Sequence, residues 1–205
     1  MIPDHFTDPL ELFAHYFARA KATETQDPTA MSLATATASG RPAVRMVLLK
    51  GVDARGLVFF TNYTSRKAAQ LTENPYAALC LHWPLLQVQV RSEGPIERVT
   101  AAESDAYFQS RPLGSQLAAW ASSQSAPLPS RELLLTRYHE LEQRFAGKPV
   151  PRPDFWGGFR LLPERLEFWS NEPYRMHDRL LYERELEGDL TELATARWRT
   201  TPLYP

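Results

Sequence analysis

Between Met31 and Val99 the chain breaks into short apolar runs, Met31 to Thr37, Ala43 to Lys50, Gly56 to Asn62, Tyr76 to Trp83 and Gln87 to Val99, separated by glycine or charged turn residues. Runs of this length, rich in β-branched and aromatic residues, read as strands. Most of the links are shorter than the roughly dozen residues a parallel crossover needs, so the strands are expected to be antiparallel, in a barrel or a sandwich. The pattern returns at Trp156 to Leu162, Arg165 to Ser170, Asp178 to Arg184 and Thr195 to Thr201. Between the last two, residues 185–194 are acidic and predict a solvated loop or hairpin tip.

Helices flank this β pattern. Asp8-Pro9-Leu10-Glu11 combines an N-cap Asp, Pro at the first helical position and Glu three residues after the cap, and Leu10, Phe13, Phe17 and Ala20 follow at helical spacing. A crossing helix is expected from about Thr64 to Leu71, with Ser or Thr at its start. Thr100-Ala101-Ala102-Glu103 is a capping box opening a helix to about Arg111. A short helix near Gln116 to Ala121 and a long one from Ser130 to Phe145 complete the set. At 205 residues the chain is read as one domain, 1–205, with residues 1–26 as an amino-terminal helix region.

Composition narrows the function classes. A net charge of -1 lacks the clustered basic surface of a nucleic-acid binder. The single cysteine, Cys80, sits in an apolar run, so no intrachain disulfide or cysteine metal cluster is expected. The histidines are scattered and suggest no local metal site. No apolar run approaches the ~20 residues that span a bilayer, and Met1 to Phe6 carries no basic region leading into one. These features predict a cytoplasmic protein without a membrane or nucleic-acid partner.

Five residue sets carry candidate chemistry. In Thr61-Asn62-Tyr63-Thr64-Ser65-Arg66-Lys67 a strand ends and a helix begins with two cations in its first turn. Cations are unfavourable at that end of the helix dipole unless an anion is present, which points to a phosphate; a solvated Arg-Lys pair is the plain alternative. Tyr107 and Arg111 share a helix face, and Pro112 and Gly114 leave Ser115 as an N-cap for the next helix, so these groups can converge on a second anion. A solvated corner is the alternative there. Arg45 and Lys50 stand at the ends of one run and are expected on opposite sheet faces, while Gln87, Gln89 and Arg91 share a polar stripe, for which a solvated outer face is the plain alternative. Arg175, His177 and Arg179, spaced by two, align on one face of an extended segment, which suits an anionic substrate; an exposed strand edge charged against aggregation is the alternative.

These sets are where a resemblance enters. The chain resembles the pyridoxamine 5'-phosphate oxidases from Asp8-Pro9-Leu10 to Leu203-Tyr204-Pro205, through Asp27-Pro28-Thr29-Ala30-Met31, Arg45 to Lys50, Phe59-Phe60-Thr61-Asn62, Ser65-Arg66-Lys67, Tyr107-Phe108-Gln109-Ser110-Arg111-Pro112, Ser115-Gln116, Gln124-Ser125, Trp156-Gly157-Gly158 and His177-Asp178-Arg179. It departs from the family pattern at Val88, Met176, Pro202 and the stretch 170–174. The resemblance implies an α+β, mainly β fold, an antiparallel FMN-binding split β-barrel with peripheral helices. It also implies a homodimer with FMN at the subunit interface.

By position, the resemblance implies that Arg45, Met46, Val47, Leu48, Leu49, Lys50, Phe60, Thr61, Arg66, Lys67, Gln89, Gln124, Ser125, Trp169 and Arg179 form the FMN set, with Arg66 and Lys67 on its phosphate. Lys50, Tyr107, Arg111 and Ser115 would clamp the substrate phosphate, and Arg175 with His177 would face the pyridine ring as the catalytic pair. The implied reaction takes a small phosphorylated pyridine, pyridoxine or pyridoxamine 5'-phosphate, to pyridoxal 5'-phosphate, with O2 as acceptor and H2O2 as product. Two other readings use the same residues: a related flavin oxidase of the phenazine type, and a carrier of FMN or pyridoxal phosphate without turnover.

Overall fold

A computed structural model describes residues 2–185 and 197–205, so the acidic stretch expected at 185–194 lies, apart from Glu185, outside the described residues. The chain runs α1 (Pro9–Thr23), β1 (Ala30–Ala36), β2 (Pro42–Leu48), β3 (Gly51–Asp53), β4 (Gly56–Asn62), α2 (Arg66–Glu73), β5 (Tyr76–Trp83), β6 (Val88–Arg98), α3 (Ala101–Ser110), α4 (Leu113–Ala121), α5 (Arg131–Arg144), β7 (Trp156–Leu161), β8 (Arg165–Ser170), β9 (Asp178–Arg184) and β10 (Trp198–Pro202). Local signals set several boundaries. Asp8 caps α1 by accepting from Leu10 N at 2.8 Å, with Pro9 in the first turn. Ser65 caps α2, and Thr100 and Glu103 exchange both bonds of a capping box at α3.

All strand pairs among the described residues are antiparallel, in the path β10-β9-β8-β6-β5-β1-β2, with β3, β4 and β7 branching from it. The long strand β6 makes the curl. Its residues up to Pro95 pair with β5, whereas Ile96 to Arg98 pair with β7 and carry the sheet round to β4 and β3. Gly94 sits at the crossing, where a Cβ would lie 2.1 Å from the Leu162 carbonyl oxygen, so only glycine lets the β7–β8 connection pass so close. The result is a half-closed antiparallel barrel with helices outside. Leu33, Phe59, Leu81, Val90, Leu161 and Phe168 fill its interior, and Leu12, Phe13 and Tyr16 of α1 close one side. No helix among the described residues is long and apolar enough to cross a membrane.

Two sequence expectations need correction. The run from Ala43 to Lys50 is not one strand: β2 stops at Leu48, Lys50 N donates to Val58 O, and a short β3 follows that no periodicity signals. Lys50 thus stands in a turn and not on a sheet face opposite Arg45. Gln87 has φ 55 in the turn before β6, so the polar stripe begins at Gln89.

One ion network joins the barrel to its outer helices. Arg160 of β7, with 3% of its side chain exposed, donates to Asp53 Oδ2 at 2.7 Å and Glu103 Oε1 at 2.6 Å, and lies 3.3 Å from Glu97 Oε1. The Arg160 hydrogen bond, followed by the bond from Thr100 N, holds the Glu103 carboxyl down from 4.5 to about 2. A carboxyl depressed on folding adds stability that is present above its unfolded pKa and is lost as pH falls through the folded one. We predict that wild type loses its stability advantage over Glu103→Gln as pH drops from 4.5 towards 2. Urea titrations of both proteins across that window check it, and a constant difference would contradict the assignment.

Candidate functional site

A cavity of about 480 Å³ opens between the end of β2, β4 and the start of α2 on one side and α3, α4 and the head of β7 on the other. Its lining includes Lys50, Lys67 and Arg111 and no aspartate or glutamate. The space therefore favours an anion.

One group of cations gathers where β4 meets α2. Lys67 Nζ donates to Thr61 Oγ1 at 3.1 Å and to Gln124 Oε1 at 2.8 Å, and Thr61 Oγ1 donates to Gln124 at 3.0 Å. Burial, then Arg45, pushes the Lys67 amine down; burial, then Arg66, pushes Arg45 down. Arg45 is fixed by donation to Thr35 Oγ1 at 2.7 Å and to Gln70 Oε1 at 3.2 Å, not by an acid. Arg66 is exposed in the first turn of the helix. None of the three cations has an ion pair among the described residues, so an anion from outside could neutralise them.

The second group is Lys50, Tyr107 and Arg111, all lining the same cavity. The Nη1 atom of Arg111 is buried and has no hydrogen-bond partner among the described residues. Burial pushes the guanidinium down and the Tyr107 phenol up. Tyr107 stacks on Phe60 with centroids 4.0 Å apart, Phe60 stacks on Trp156 at 5.4 Å, and the Arg111 Cζ lies 4.9 Å from the Trp156 ring. Gly158, opposite Phe60 in the β4–β7 register, makes room for this stack: a Cβ there would lie 2.8 Å from Phe60 Cε1 and 2.7 Å from Val99 Cγ2.

Ser115 is a correction. Helix α4 begins at Leu113 with Pro112 as N-cap, and Ser115 N donates to Pro112 O at 2.8 Å, so Ser115 lies inside the first turn and does not cap the helix. Pro112, with its fixed φ, already starts the helix two residues earlier. Ser115 does not line the cavity, and neither do Leu49, Arg45, Arg66 or Ser125. Leu49 is 2% exposed in the core, and Ser125 adopts a left-handed φ of 72. Met46, Val47, Leu48, Phe60, Thr61 and Gln124 do line it. The sequence reading missed Asn62 and Trp156, although Trp156 heads a Trp-Gly-Gly run whose glycines signal close packing.

The remaining candidates lie elsewhere. Gln89 pairs with Trp169 and Trp169 with Arg179, which puts the three side chains in one row across β6, β8 and β9. Arg179 donates to Glu167 Oε1 at 3.0 Å and to the Tyr204 carbonyl at 2.9 Å, while the other oxygen of Glu167 accepts from Arg91. The His177 ring lies 4.7 Å from Trp169, and Nδ1 accepts from Glu172 N at 3.3 Å. Arg175 departs from expectation: Pro173–Arg175 form a 3₁₀ turn in which Tyr174 and Arg175 have φ of 57 and 61, so Arg175 does not share an extended face with His177 and Arg179. Met176 N donating to Pro173 O closes that turn. None of these five residues lines the cavity, and β8 stands four strand spacings from β2, ~19 Å along the sheet. Among the described residues no group of three or more His, Cys, Asp or Glu could hold a metal ion.

Comparison with known proteins gives a consistent picture. Residues 18–145 match the family model described as pyridoxamine 5'-phosphate oxidase, and residues 156–205 match the one described as pyridoxine 5'-phosphate oxidase C-terminal dimerisation region. The chain is 54% identical over 205 residues to a pyridoxine/pyridoxamine 5'-phosphate oxidase of Myxococcus xanthus, covering 100% of this chain and 94% of that one. To the protein of the same name from Rubrobacter xylanophilus it is 52% identical over 198 residues, covering 97% and 87%. Among solved structures, PhzG from Burkholderia lata 383, in complex with tetrahydrophenazine-1-carboxylic acid, superposes with a TM-score of 0.90 at 34% identity, covering 98% of this chain and 95% of that one. A pyridoxamine 5'-phosphate oxidase-related, FMN binding protein from Nostoc punctiforme shares the fold, with a TM-score of 0.75 at 19% identity, covering 95% and 96%.

The tight seat of Gly158 yields a stability prediction. Gly158→Ala must push the Phe60 ring or Val99 aside, a cost of about 1–3 kcal/mol for overpacking. Denaturant unfolding measures it, with near-UV circular dichroism reporting the aromatic stack; unchanged stability would mean that the stack has room to spare.

Proposed function

The chain belongs to the pyridoxamine 5'-phosphate oxidase family, and on that premise we propose that it oxidises pyridoxine or pyridoxamine 5'-phosphate at the 4' carbon to pyridoxal 5'-phosphate, with FMN as cofactor and O2 as acceptor. The observation that carries this reading is a single cavity lined by Lys50, Lys67 and Arg111 and by no acid, with Arg45 and Arg66 close behind Lys67. Two phosphoryl groups, one on the cofactor and one on the substrate, would neutralise them.

The residues fit FMN on their own chemistry. Arg66 and Lys67 in the first turn of α2 would hold its phosphate, with Arg45 adding charge behind them and Thr61 and Gln124 orienting Lys67. The exposed edge of β2, from Met46 to Leu48, would flank the ring system. FMN, when bound, would supply the redox chemistry, a two-electron transfer from the 4' carbon to O2 that yields H2O2; the alcohol would give the aldehyde directly, and the amine would give an imine that water hydrolyses with release of ammonia. Lys50, Tyr107 and Arg111 would grip the substrate phosphate, so that binding energy remote from the reacting carbon fixes its position. Ser115, as a helix-interior residue, would join them only through its side chain.

Gln89, Trp169, Arg175, His177 and Arg179 would complete the site from a second copy of the chain. Their distance from the cavity within one protomer supports that reading, as does the match of residues 156–205 to a dimerisation region. The outer face of β2 also exposes Val44 at 70%, Met46 at 61% and Leu48 at 40%, an apolar row suited to cover by another chain.

Anaerobic mixing of the purified flavoprotein with pyridoxine 5'-phosphate tests the reading. Bleaching of the flavin is expected; binding without bleaching would indicate a carrier, and no binding would indicate a different ring substrate. For the division of roles, Arg66→Ala should weaken FMN retention by about 10-fold or more, the scale of one lost charge-assisted hydrogen bond. Arg175→Ala should instead lower turnover by roughly 10²-fold through misplaced substrate. Equal FMN loss in the two variants would refute that division.

A further inference from the structure

The Arg111 guanidinium is unusual in its surroundings. Its Nη1 is buried without a partner, no acid lines the cavity it enters, and what it does touch is aromatic: the Trp156 ring at 4.9 Å and the Phe108 ring at 5.7 Å. An acid at that position would quench the charge and occupy its terminal donors, as three acids do for Nη1 and Nη2 of Arg160. An indole face attracts the cation through its quadrupole and accepts no hydrogen bond in the guanidinium plane, so the N–H groups stay available.

Trp156 is well anchored for such a task. It is 7% exposed, its ring is near-parallel to those of Phe60 and Tyr107, at 11° and 10°, and it meets Phe108 edge-on at 69°. Arg152 Nη1 donates to the Trp156 carbonyl at 2.6 Å, which fixes the backbone beneath the ring.

We propose that Trp156 is a positioning residue for the substrate's phosphate: its indole face holds Arg111 charged and without an acid partner at the cavity wall, where the guanidinium can meet a phosphate monoester. This deepens the oxidase reading and rests on it for the identity of the ligand. The positioning of Arg111 itself rests on the Arg111–Trp156 geometry and not on that reading.

The test titrates inorganic phosphate into the FMN-loaded protein, so that the cofactor's own phosphate site is filled, and measures KM and kcat for pyridoxine 5'-phosphate in parallel. Trp156→Leu should weaken phosphate binding and raise KM by ~10-fold, and Trp156→Phe, which keeps a weaker ring face, by about 3-fold. In both variants KM should move more than kcat, with the FMN content at the wild-type level. A purely structural role would give the reverse, lower FMN content or lower kcat with phosphate affinity unchanged, and would overturn the proposal. Should Trp156→Leu not fold, the Trp156→Phe titration decides the matter alone. If wild type binds inorganic phosphate in a Trp156-dependent way yet does not oxidise pyridoxine 5'-phosphate, the oxidase reading fails and the positioning role stands.

Discussion

The structure turns on how it treats buried guanidinium groups. Arg160 is enclosed by β7, β3, β6 and α3, and Asp53, Glu97 and Glu103 share its charge. Because three partly exposed acids share one buried guanidinium, loss of any one of them leaves the charge still paired by the other two. That constraint fixes the direction in which β7 leaves the helical layer, and with it Trp156 at the head of the strand and Gly158 opposite Phe60. Two β7 residues away from the aromatic stack, the barrel is pinned by charge; at the stack itself the nearby charge of Arg111 is left unanswered. In the proposed function the same chemical group would serve the fold in one place and a ligand in the other, the difference lying in whether an acid is supplied.

The cations near α2 follow the second pattern. Arg45 and Lys67 are held by neutral oxygens, those of Thr35, Gln70, Thr61 and Gln124, which orient the side chains without cancelling their charge. Neutral acceptors leave a net positive site that a phosphoryl group can neutralise. Arg179 is the contrast: Glu167 and the Tyr204 carbonyl take its donors, so it enters a site as a rigid, already balanced plane and not as a free anion receptor.

Much of this was legible in the sequence where the signal is local. The capping residues Asp8, Ser65, Thr100 and Ser130 announce their helices because each satisfies a backbone N–H within three residues. Strands β4, β5, β8 and β9 were bounded correctly from their apolar runs, since turn residues close them sharply. The pairing of Lys67 with Gln124 and the stacking of Tyr107 on Phe60 join residues far apart in the chain, and for these only the family resemblance gave a hint. Spacing misled at two points. Ser115 was displaced as a cap because Pro112 begins α4 first, and Arg175 left the extended face because Pro173 closes a turn ahead of it. The Arg160 network and β3 were invisible, as a three-residue strand has no period and a buried Arg has no signature in sequence.

The turn that carries Arg175 bears on how the site is completed. Two consecutive non-glycine residues in left-handed geometry cost of order 1–3 kcal/mol each, and such strain persists where surrounding structure or a ligand enforces it. Within one protomer little enforces it: Tyr174 is 97% exposed and Met176 is 69% exposed. An exposed, strained turn that displays an arginine and two large apolar side chains is stabilised most simply by seating against another surface. The apolar row on β2 is a surface of matching apolar character for Tyr174 and Met176 on the same molecule. In the proposed assembly of two copies, seating the turn against the partner's β2 would relieve both the strain at Tyr174 and Arg175 and the exposure of β2.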